Sequence, residues 1–123
     1  MRNCFLSVAF IATLFTGTAA VAGPTSSSQE VILINPFEVK PGREQECLAM
    51  WEASRDFLSS KKGYISTKLH KALKPNAKFT YINVAVWVSA EDFAAAVSDP
   101  KMRQSSLSDA CTGSPALFEV IRN

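Results

Sequence analysis

The amide of Asn35 is the first candidate for chemistry in this sequence, because it ends an apolar run that begins at Val31. An amide within an apolar strand costs free energy unless it is hydrogen-bonded. Two interpretations stay open. Asn35 is a catalytic residue that binds a substrate oxygen, or it pairs with nearby backbone at a bulge next to Pro36.

The imidazole of His70 is the second candidate, since it is the one histidine of the chain. Histidine is the side chain whose unperturbed pKa lies nearest neutrality, so His70 could act as a general base. Its neighbours Lys68, Lys71 and Lys74 indicate a partly wet strand end. This setting favours a surface role, and high exposure would remove His70 from the site.

Two tryptophans and a strip of neighbouring residues could form the walls of a substrate pocket. Trp51 and Trp87 fit core packing, which is the commoner role of such aromatic residues, but the same rings can also line a cavity. Tyr81 and Asn83 alternate with Trp87 along one predicted strand and so share a face with it. The predicted substrate-binding set is Phe37, Trp51, Tyr81, Asn83 and Trp87.

Metal binding, cysteine catalysis and nucleic-acid binding have little support in the sequence. There is a single histidine, and neither a C-x-x-C nor an H-x-x-x-H pattern occurs, so no metal site is predicted. Cys47 lies on the apolar stripe of a predicted helix without a histidine nearby, which argues against a nucleophile. The net charge is only +2 and the lysines are scattered, which argues against a nucleic-acid partner.

Strands and helices that could position these residues are visible as changes of apolar period. Residues 31–39 form an apolar strand that ends at the Pro41-Gly42 breaker, and residues 43–60 carry a helical stripe. The residues of this stripe are Cys47, Met50, Trp51, Ser54, Phe57 and Leu58.

The second half of the chain continues with strands at 64–71 and 79–88, separated by the turn residues Pro75-Asn76. Ser89 is a good N-cap for a second helix, Pro100 suits the start of a further short helix, and residues 116–121 form the last strand. The order β-α-β-β-α-β predicts an α+β, ferredoxin-like domain over residues 30–123. It has a four-stranded antiparallel sheet with its helices on one face. The uncovered apolar face should meet a second copy of the chain.

The N-terminal segment has the composition of a removable signal peptide over residues 1–22. Arg2 precedes an apolar stretch, and Ala20 and Ala22 fit a cleavage site before Gly23. Residues 23–29 read as a flexible leader. We therefore expect a periplasmic or secreted protein with no membrane attachment after cleavage, the alternative being an uncleaved anchor.

Two cysteines would remain after signal cleavage, Cys47 and Cys111. In an oxidising compartment these two could form a disulfide. A buried free thiol is equally compatible with the position of Cys47, so both states stay open.

Over residues 30–122, the sequence resembles the antibiotic biosynthesis monooxygenase family, because several short segments occur in the order expected for that family. They are Ile34 to Val39 with Pro41-Gly42, Trp51, Gly63 to Thr67 with Leu69-His70, and Asn83 to Trp87 before a Ser-capped helix. The resemblance implies a homodimeric α+β barrel with a pocket between sheet and helices in each subunit. In the monooxygenase branch, a deprotonated phenol reacts with dioxygen directly, without metal, flavin or other cofactor.

The haem-degrading branch of the similar barrels also has an Asn on its first strand, as Asn35 is here. However, its Trp and its haem-ligating His fall on Ala96 and Ser106 of this chain. The leading hypothesis is therefore a cofactor-free monooxygenase for a small phenol- or quinol-type aromatic compound. Asn35 would bind the reacting oxygen, and His70 or a bound water would take the proton. The alternatives are a binding module for an apolar ligand such as haem, and a dimer without a ligand.

Overall fold

The structure is a computed structural model that describes residues 17, 19, 20, 29–106 and 108–123. The predicted signal peptide, residues 1–22, and the leader, residues 23–29, lie almost wholly outside the described residues and stay predictions. Within the described part of the chain, no helix is both long and apolar enough to cross a membrane.

The described chain forms one open antiparallel sheet with three helices on one face, which confirms the predicted ferredoxin-like order. Its elements are β1 (Val31–Val39), α1 (Glu44–Ser59), β2 (Tyr64–Lys71), β3 (Tyr81–Trp87), α2 (Ala90–Val97), α3 (Pro100–Ser105), β4 (Cys111–Gly113) and β5 (Ala116–Phe118). The strand order is β2-β3-β1-β4, and β5 also pairs with β1.

The fourth position of the sheet is shared by two short strands, where the sequence predicted one strand over residues 116–121. β4 pairs with the end of β1, and β5 pairs with its first half. Between them, the backbone N–H of Ser114 donates to Pro36 O at 3.0 Å, and Pro115 has no N–H to donate. Gly113, Ser114 and Pro115 are typical turn residues, and their composition hid the strand at β4.

The predicted helix starts agree with the cap geometry of α2 and α3. The Ser89 side chain accepts a hydrogen bond from Asp92 N at 3.1 Å at the start of α2. At the start of α3, Asp99 accepts from Lys101 N, and Pro100 occupies the first turn. Each cap satisfies a backbone donor that has no partner within the helix.

The two faces of the sheet differ in what covers them. Leu33, Ala85 and Trp87 point to the helices and are buried, whereas their neighbours along the strands point away. The outer face is apolar and half-buried or exposed over Ile32, Ile34, Ile82, Val84, Val86 and Phe118. The sheet is open, and no described element covers this outer face.

Two groups of buried residues pack between the sheet and the helices. The disulfide cluster contains Phe37, Cys47, Tyr81, Ala110 and Cys111. The tryptophan cluster contains Leu33, Ala85, Trp87 and Ala96.

Cys47 and Cys111 form a disulfide that joins α1 to β4. Their Cα atoms are 5.7 Å apart, and 64 residues separate them in sequence. The sequence left both a bridge and a free thiol open. In the tertiary structure the disulfide forms, because β4 lies next to the start of α1.

Candidate active site

A cavity of about 300 Å³ lies between the sheet and the helices. Members of both clusters line it, with Phe37 and Cys111 at one end and Leu33 and Trp87 at the other. Its size falls at the lower end of the range of roughly 300–1,000 Å³ that is usual for small-molecule sites. The cavity can therefore enclose a compact ligand.

Five of the seven predicted site residues line this cavity. Asn35 and Phe37 reach it from β1, Asn83 and Trp87 from β3, and Trp51 from α1. The alternation of side chains along β1 and β3 places each pair on the helix-covered face. The helical stripe turns Trp51 toward the same space.

Tyr81 does not reach the cavity, although it shares the face of Asn83. Its side chain is only 4% exposed and packs in the disulfide cluster. Burial raises the pKa of its phenol above the usual 10.0, and the nearby charge of Glu44 adds to this effect. Its position is that of a core residue.

His70 lies on the opposite face of β2 from the cavity and is exposed. Its Nδ1 is 3.2 Å from the carbonyl oxygen of Ile82. Thr67 points inward to the cavity, and strand alternation sends His70 outward three residues later. The structure therefore does not bring His70 to the cavity, and its position favours the surface role.

Asn35 and Asn83 form a pair of neighbouring amides in the cavity. They are Cα partners across β1 and β3, a pairing that separates Cα atoms by about 4.5–5.5 Å. Asn83 is 7% exposed, and its Oδ1 accepts a hydrogen bond of 2.6 Å from Thr67 Oγ1. The Oδ1 atom of Asn35 is buried, and no described group hydrogen-bonds to it.

The surroundings of Asn35 bear on its second interpretation, in which a bulge next to Pro36 satisfies the amide. The register between β1 and β3 runs without a shift through Asn35 and Pro36. The side-chain oxygen also finds no backbone partner among the described residues. A buried acceptor without a partner carries a desolvation cost that a ligand hydroxyl would relieve.

The indole of Trp87 adds a second polar atom without a partner. Trp87 is 1% exposed, and its Nε1 is buried with no hydrogen bond to a described group. Its ring makes edge contacts with Tyr64 at 5.6 Å and with Phe93 at 5.4 Å between centroids. Trp87 follows Asn83 by four residues, a distance of roughly 13 Å along an extended strand. The cavity therefore has polar atoms to satisfy at two separate points.

The cavity residues that escaped the sequence analysis include Thr67, Arg55 and Gly113. The alternation of β2 could have placed Thr67 inward, while Gly113 belongs to the strand that was missed. Arg55 lies at 5.2 Å over the ring of Trp51 and pairs with Asp56 at 2.9 Å. Among the described lining residues there is no Asp, Glu, His or Lys, so Arg55 is the only lining side chain with a full positive charge.

Comparison with known protein families gives a match over most of the domain. The family model described as antibiotic biosynthesis monooxygenase matches residues 30–105. The chain belongs to this family. A search of curated proteins finds no match.

Solved structures similar to this family member support the fold. A candidate monooxygenase from Shewanella loihica PV-4 is 44% identical, with a TM-score of 0.70 over 78% of this chain and 98% of that chain. SnoaB, a cofactor-independent oxygenase from Streptomyces nogalater, is 22% identical, with a TM-score of 0.67 over 78% and 97%. The haem-degrader MhuD from Mycobacterium tuberculosis is 23% identical, with a TM-score of 0.58 over 76% and 97%. The last two likenesses concern the fold alone.

Among its described lining residues, the cavity of this family member has neither a histidine nor a free thiolate for haem iron. Imidazole and thiolate are common protein ligands of haem iron. His70, the one histidine of the chain, lies outside the cavity, and the sulfur of Cys111 is bonded to Cys47. Among the described residues, no group of three or more His, Cys, Asp or Glu could hold a metal ion.

Proposed function

We propose that this protein is a cofactor-free monooxygenase that acts on a small phenol- or quinol-type aromatic compound. The observation that carries the proposal is the unpaired, buried Oδ1 of Asn35 inside a largely apolar cavity. Membership of the family supports a monooxygenase-like or haem-binding role. The 44% identity to a candidate monooxygenase and the poor fit to haem favour the first of these roles.

The proposed reaction places one atom of dioxygen on a ring carbon of the substrate. For a ring CH₂ activated by a phenolate, the carbon becomes a carbonyl, and the second oxygen atom leaves as water with both hydrogens. The carbon supplies all four electrons that dioxygen takes up. Asn35 binds a substrate oxygen, and the rings of Trp51 and Trp87 enclose the reacting carbon and exclude water.

The phenolic proton leaves to water in this proposal, because no described lining residue is a carboxylate or an imidazole. We expect kcat/KM to rise with pH and to level off above the pKa of the substrate itself. Two substrates of different acidity, assayed from pH 5 to 10, should show midpoints that move with the substrate. A midpoint that is the same for both substrates and disappears in His70→Gln would instead identify His70 as the base.

Oxygen consumption by the purified protein on a panel of hydroquinones and anthrones tests the activity. We expect Asn35→Ala to lower kcat/KM by about tenfold, the value of one hydrogen bond donated by a substrate hydroxyl to the amide oxygen. Asn76→Ala is the matched control, because Asn76 is exposed in the β2–β3 turn. It should leave the rate unchanged.

The binding module remains the alternative, and the same panel separates it from the enzyme. Stoichiometric binding of the aromatic compounds without oxygen consumption would select a binding module. Absence of both binding and turnover would leave a dimer without a ligand role and would end the proposal.

We also propose a homodimer through the outer face of the sheet. This face carries a continuous set of aliphatic side chains on β1 and β3, and members of the family are typically dimeric. Val84→Lys, at the centre of the face, should give a monomer in light scattering. Leu73→Lys is the control, because Leu73 is fully exposed in a loop and adds the same charge elsewhere. A dimer that survives Val84→Lys would argue against this interface.

Export to the periplasm or the exterior is the third part of the proposal. The disulfide between Cys47 and Cys111 supports it, since structural disulfides persist in oxidising compartments. Intact mass after expression in a bacterial host should correspond to a chain that starts at Gly23, and Ala22→Arg should retain the first 22 residues. An unprocessed wild-type chain in the cytoplasmic fraction would contradict export.

A further inference from the structure

The two amides in the cavity, those of Asn35 and Asn83, differ in whether their side-chain oxygen already accepts a hydrogen bond. A primary amide offers one oxygen acceptor and one NH₂ donor, so its chemistry toward a ligand depends on which end is already engaged. Asn83 and Asn35 stand side by side on β3 and β1. Their partners within the protein differ: the Oδ1 of Asn83 accepts a hydrogen bond from Thr67, whereas the Oδ1 of Asn35 has no described partner.

Thr67 determines the polarity of Asn83. Its hydroxyl carries one proton, and that proton is donated to Asn83 Oδ1 over 2.6 Å. The carbonyl end of the Asn83 amide is therefore engaged with β2. The Nδ2 hydrogens are the part of this amide left for a cavity ligand, and such donors favour an anionic oxygen.

Gly113 determines the position of Asn35. A Cβ at residue 113 would lie 2.8 Å from Asn35 Oδ1 and 3.2 Å from its Nδ2, so the amide packs directly on the β4 backbone. In that position the Oδ1 of Asn35 is buried with no described hydrogen-bond partner. A hydroxyl donor on a ligand would satisfy this acceptor.

We propose that Thr67 is a positioning residue that sets the amide pair to opposite polarity, and that the site consequently selects the monoanion of an aromatic compound with hydroxyls on adjacent ring carbons. The oxyanion lies against Asn83 Nδ2, and the neighbouring hydroxyl donates to Asn35 Oδ1. Arg55, the only fully cationic side chain among the described lining residues, already pairs with Asp56, so the amide pair carries the selectivity. The inference rests on the proposed function in taking this cavity as the substrate site.

Chromophoric ligands test the inference without turnover. Nitrocatechol has adjacent hydroxyls, para-nitrophenol has one hydroxyl, and the dimethyl ether of nitrocatechol has neither donor nor charge. Equilibrium dialysis gives their affinities, and absorbance against pH gives the pKa of each bound phenol. Wild-type protein should bind nitrocatechol about tenfold more tightly than para-nitrophenol and should lower its pKa relative to the free compound.

Thr67→Val removes the hydroxyl proton at nearly constant volume, and Thr67→Ser keeps it. We expect Thr67→Val to weaken nitrocatechol binding about tenfold and to return the bound pKa toward the free value, without changing the affinity for the dimethyl ether. Thr67→Ser should restore both properties. Near-ultraviolet circular dichroism of each variant checks that the fold is retained.

Three results would overturn the inference while leaving the proposed function intact. They are an unchanged bound pKa in Thr67→Val, an equal loss of affinity for the dimethyl ether, and equal binding of para-nitrophenol and nitrocatechol by the wild type. Failure of all three compounds to bind the wild type is a different result. It would overturn the proposed function and this inference together.

Discussion

The disulfide cluster and the tryptophan cluster close opposite ends of one cavity by different means. At the first end, a covalent bond joins α1 to β4, and outside it Arg43 bonds both Glu46 and Asp109 at 2.6 Å. At the second end, Trp87 is held by edge contacts with Tyr64 and Phe93. A disulfide holds the first end together, while the second end depends on packing contacts between side chains.

This difference suits the chemistry that each end would perform. The cross-linked end includes β4, whose Gly113 supports Asn35, and an amide that must present one atom to a substrate needs a fixed backbone. The packed end contributes an indole N–H that has no described hydrogen-bond partner. Loss of the disulfide should therefore cost more stability than any single change at the packed end.

The largest expected effect is loss of the disulfide. The Cys47→Ala/Cys111→Ala protein should lose about 4 kcal/mol of unfolding free energy, because the bridge closes a loop of 64 residues. Guanidinium melts of this variant and of the wild type under reductant measure it. Equal stability of oxidised and reduced wild type would remove the contrast between the two ends.

The second-largest loss of stability is expected from a steric clash at the tryptophan end, introduced by Gly63→Ala. Gly63 has a φ of +83°, and a Cβ there would lie 2.4 Å from the Cβ of Asp92 in α2. Gly63→Ala should therefore cost about 2–3 kcal/mol, from backbone strain plus displacement of α2.

The matched control is Gly42→Ala, before α1. Gly42 has a φ of +77° with nothing within 4 Å of the added Cβ, so strain alone should cost about 1 kcal/mol. Urea melts of both variants give the difference. Equal losses of unfolding free energy would mean that α2 moves to accept the added Cβ with no energetic penalty.

A smaller effect is expected from Trp87→Phe, which keeps a ring but removes the unpaired N–H. The lost packing and the removed buried donor act in opposite directions, so the stability should change by only about 1 kcal/mol. Ligands with an oxygen at the end remote from the amides should bind several-fold more weakly, and those without it should not change. Calorimetry on a matched ligand pair measures this, and equal losses for both ligands would assign Trp87 to packing alone.

The smallest effect concerns the ion pairs outside the disulfide cluster. Hydrogen bonds from Lys40 and then from Arg43 lower the pKa of Asp109 from 3.8 to about 2. A carboxylate with a lowered folded pKa stabilises the protein above its unfolded pKa, and this contribution is lost as the pH falls from 3.8 to about 2. As the pH is lowered over this range, the denaturant midpoint of Asp109→Asn should therefore fall less than that of the wild type. An identical acid profile would show that the pairs contribute nothing measurable.

Much of the fold was predictable because local chemistry marks it directly. The bounds of β1 and β2 follow from apolar runs that end at Pro41-Gly42 and begin after Gly63. The start of α2 follows from the Ser89 cap. The division of the last strand was not predictable, because Gly113 and Pro115 read locally as a turn.

The candidate site was predictable in part for a similar reason. Strand alternation and the helical stripe were enough to bring Asn35, Asn83 and Trp87 to one face. Alternation could not choose which face of β2 the helices cover, and so it gave no inward or outward position for His70. Thr67 was overlooked because a threonine in a strand is ordinary until its partner is known.

The sequence by itself determined the element order, the side chains available and the family, because periodicity and turn residues are local properties of a chain. Only the tertiary structure decided that Cys47 and Cys111 meet, that Tyr81 packs against them and that Thr67 engages the carbonyl of Asn83. Each of these facts joins residues distant in sequence. Such contacts depend on how strands pair and how helices lie on the sheet, which no local pattern specifies.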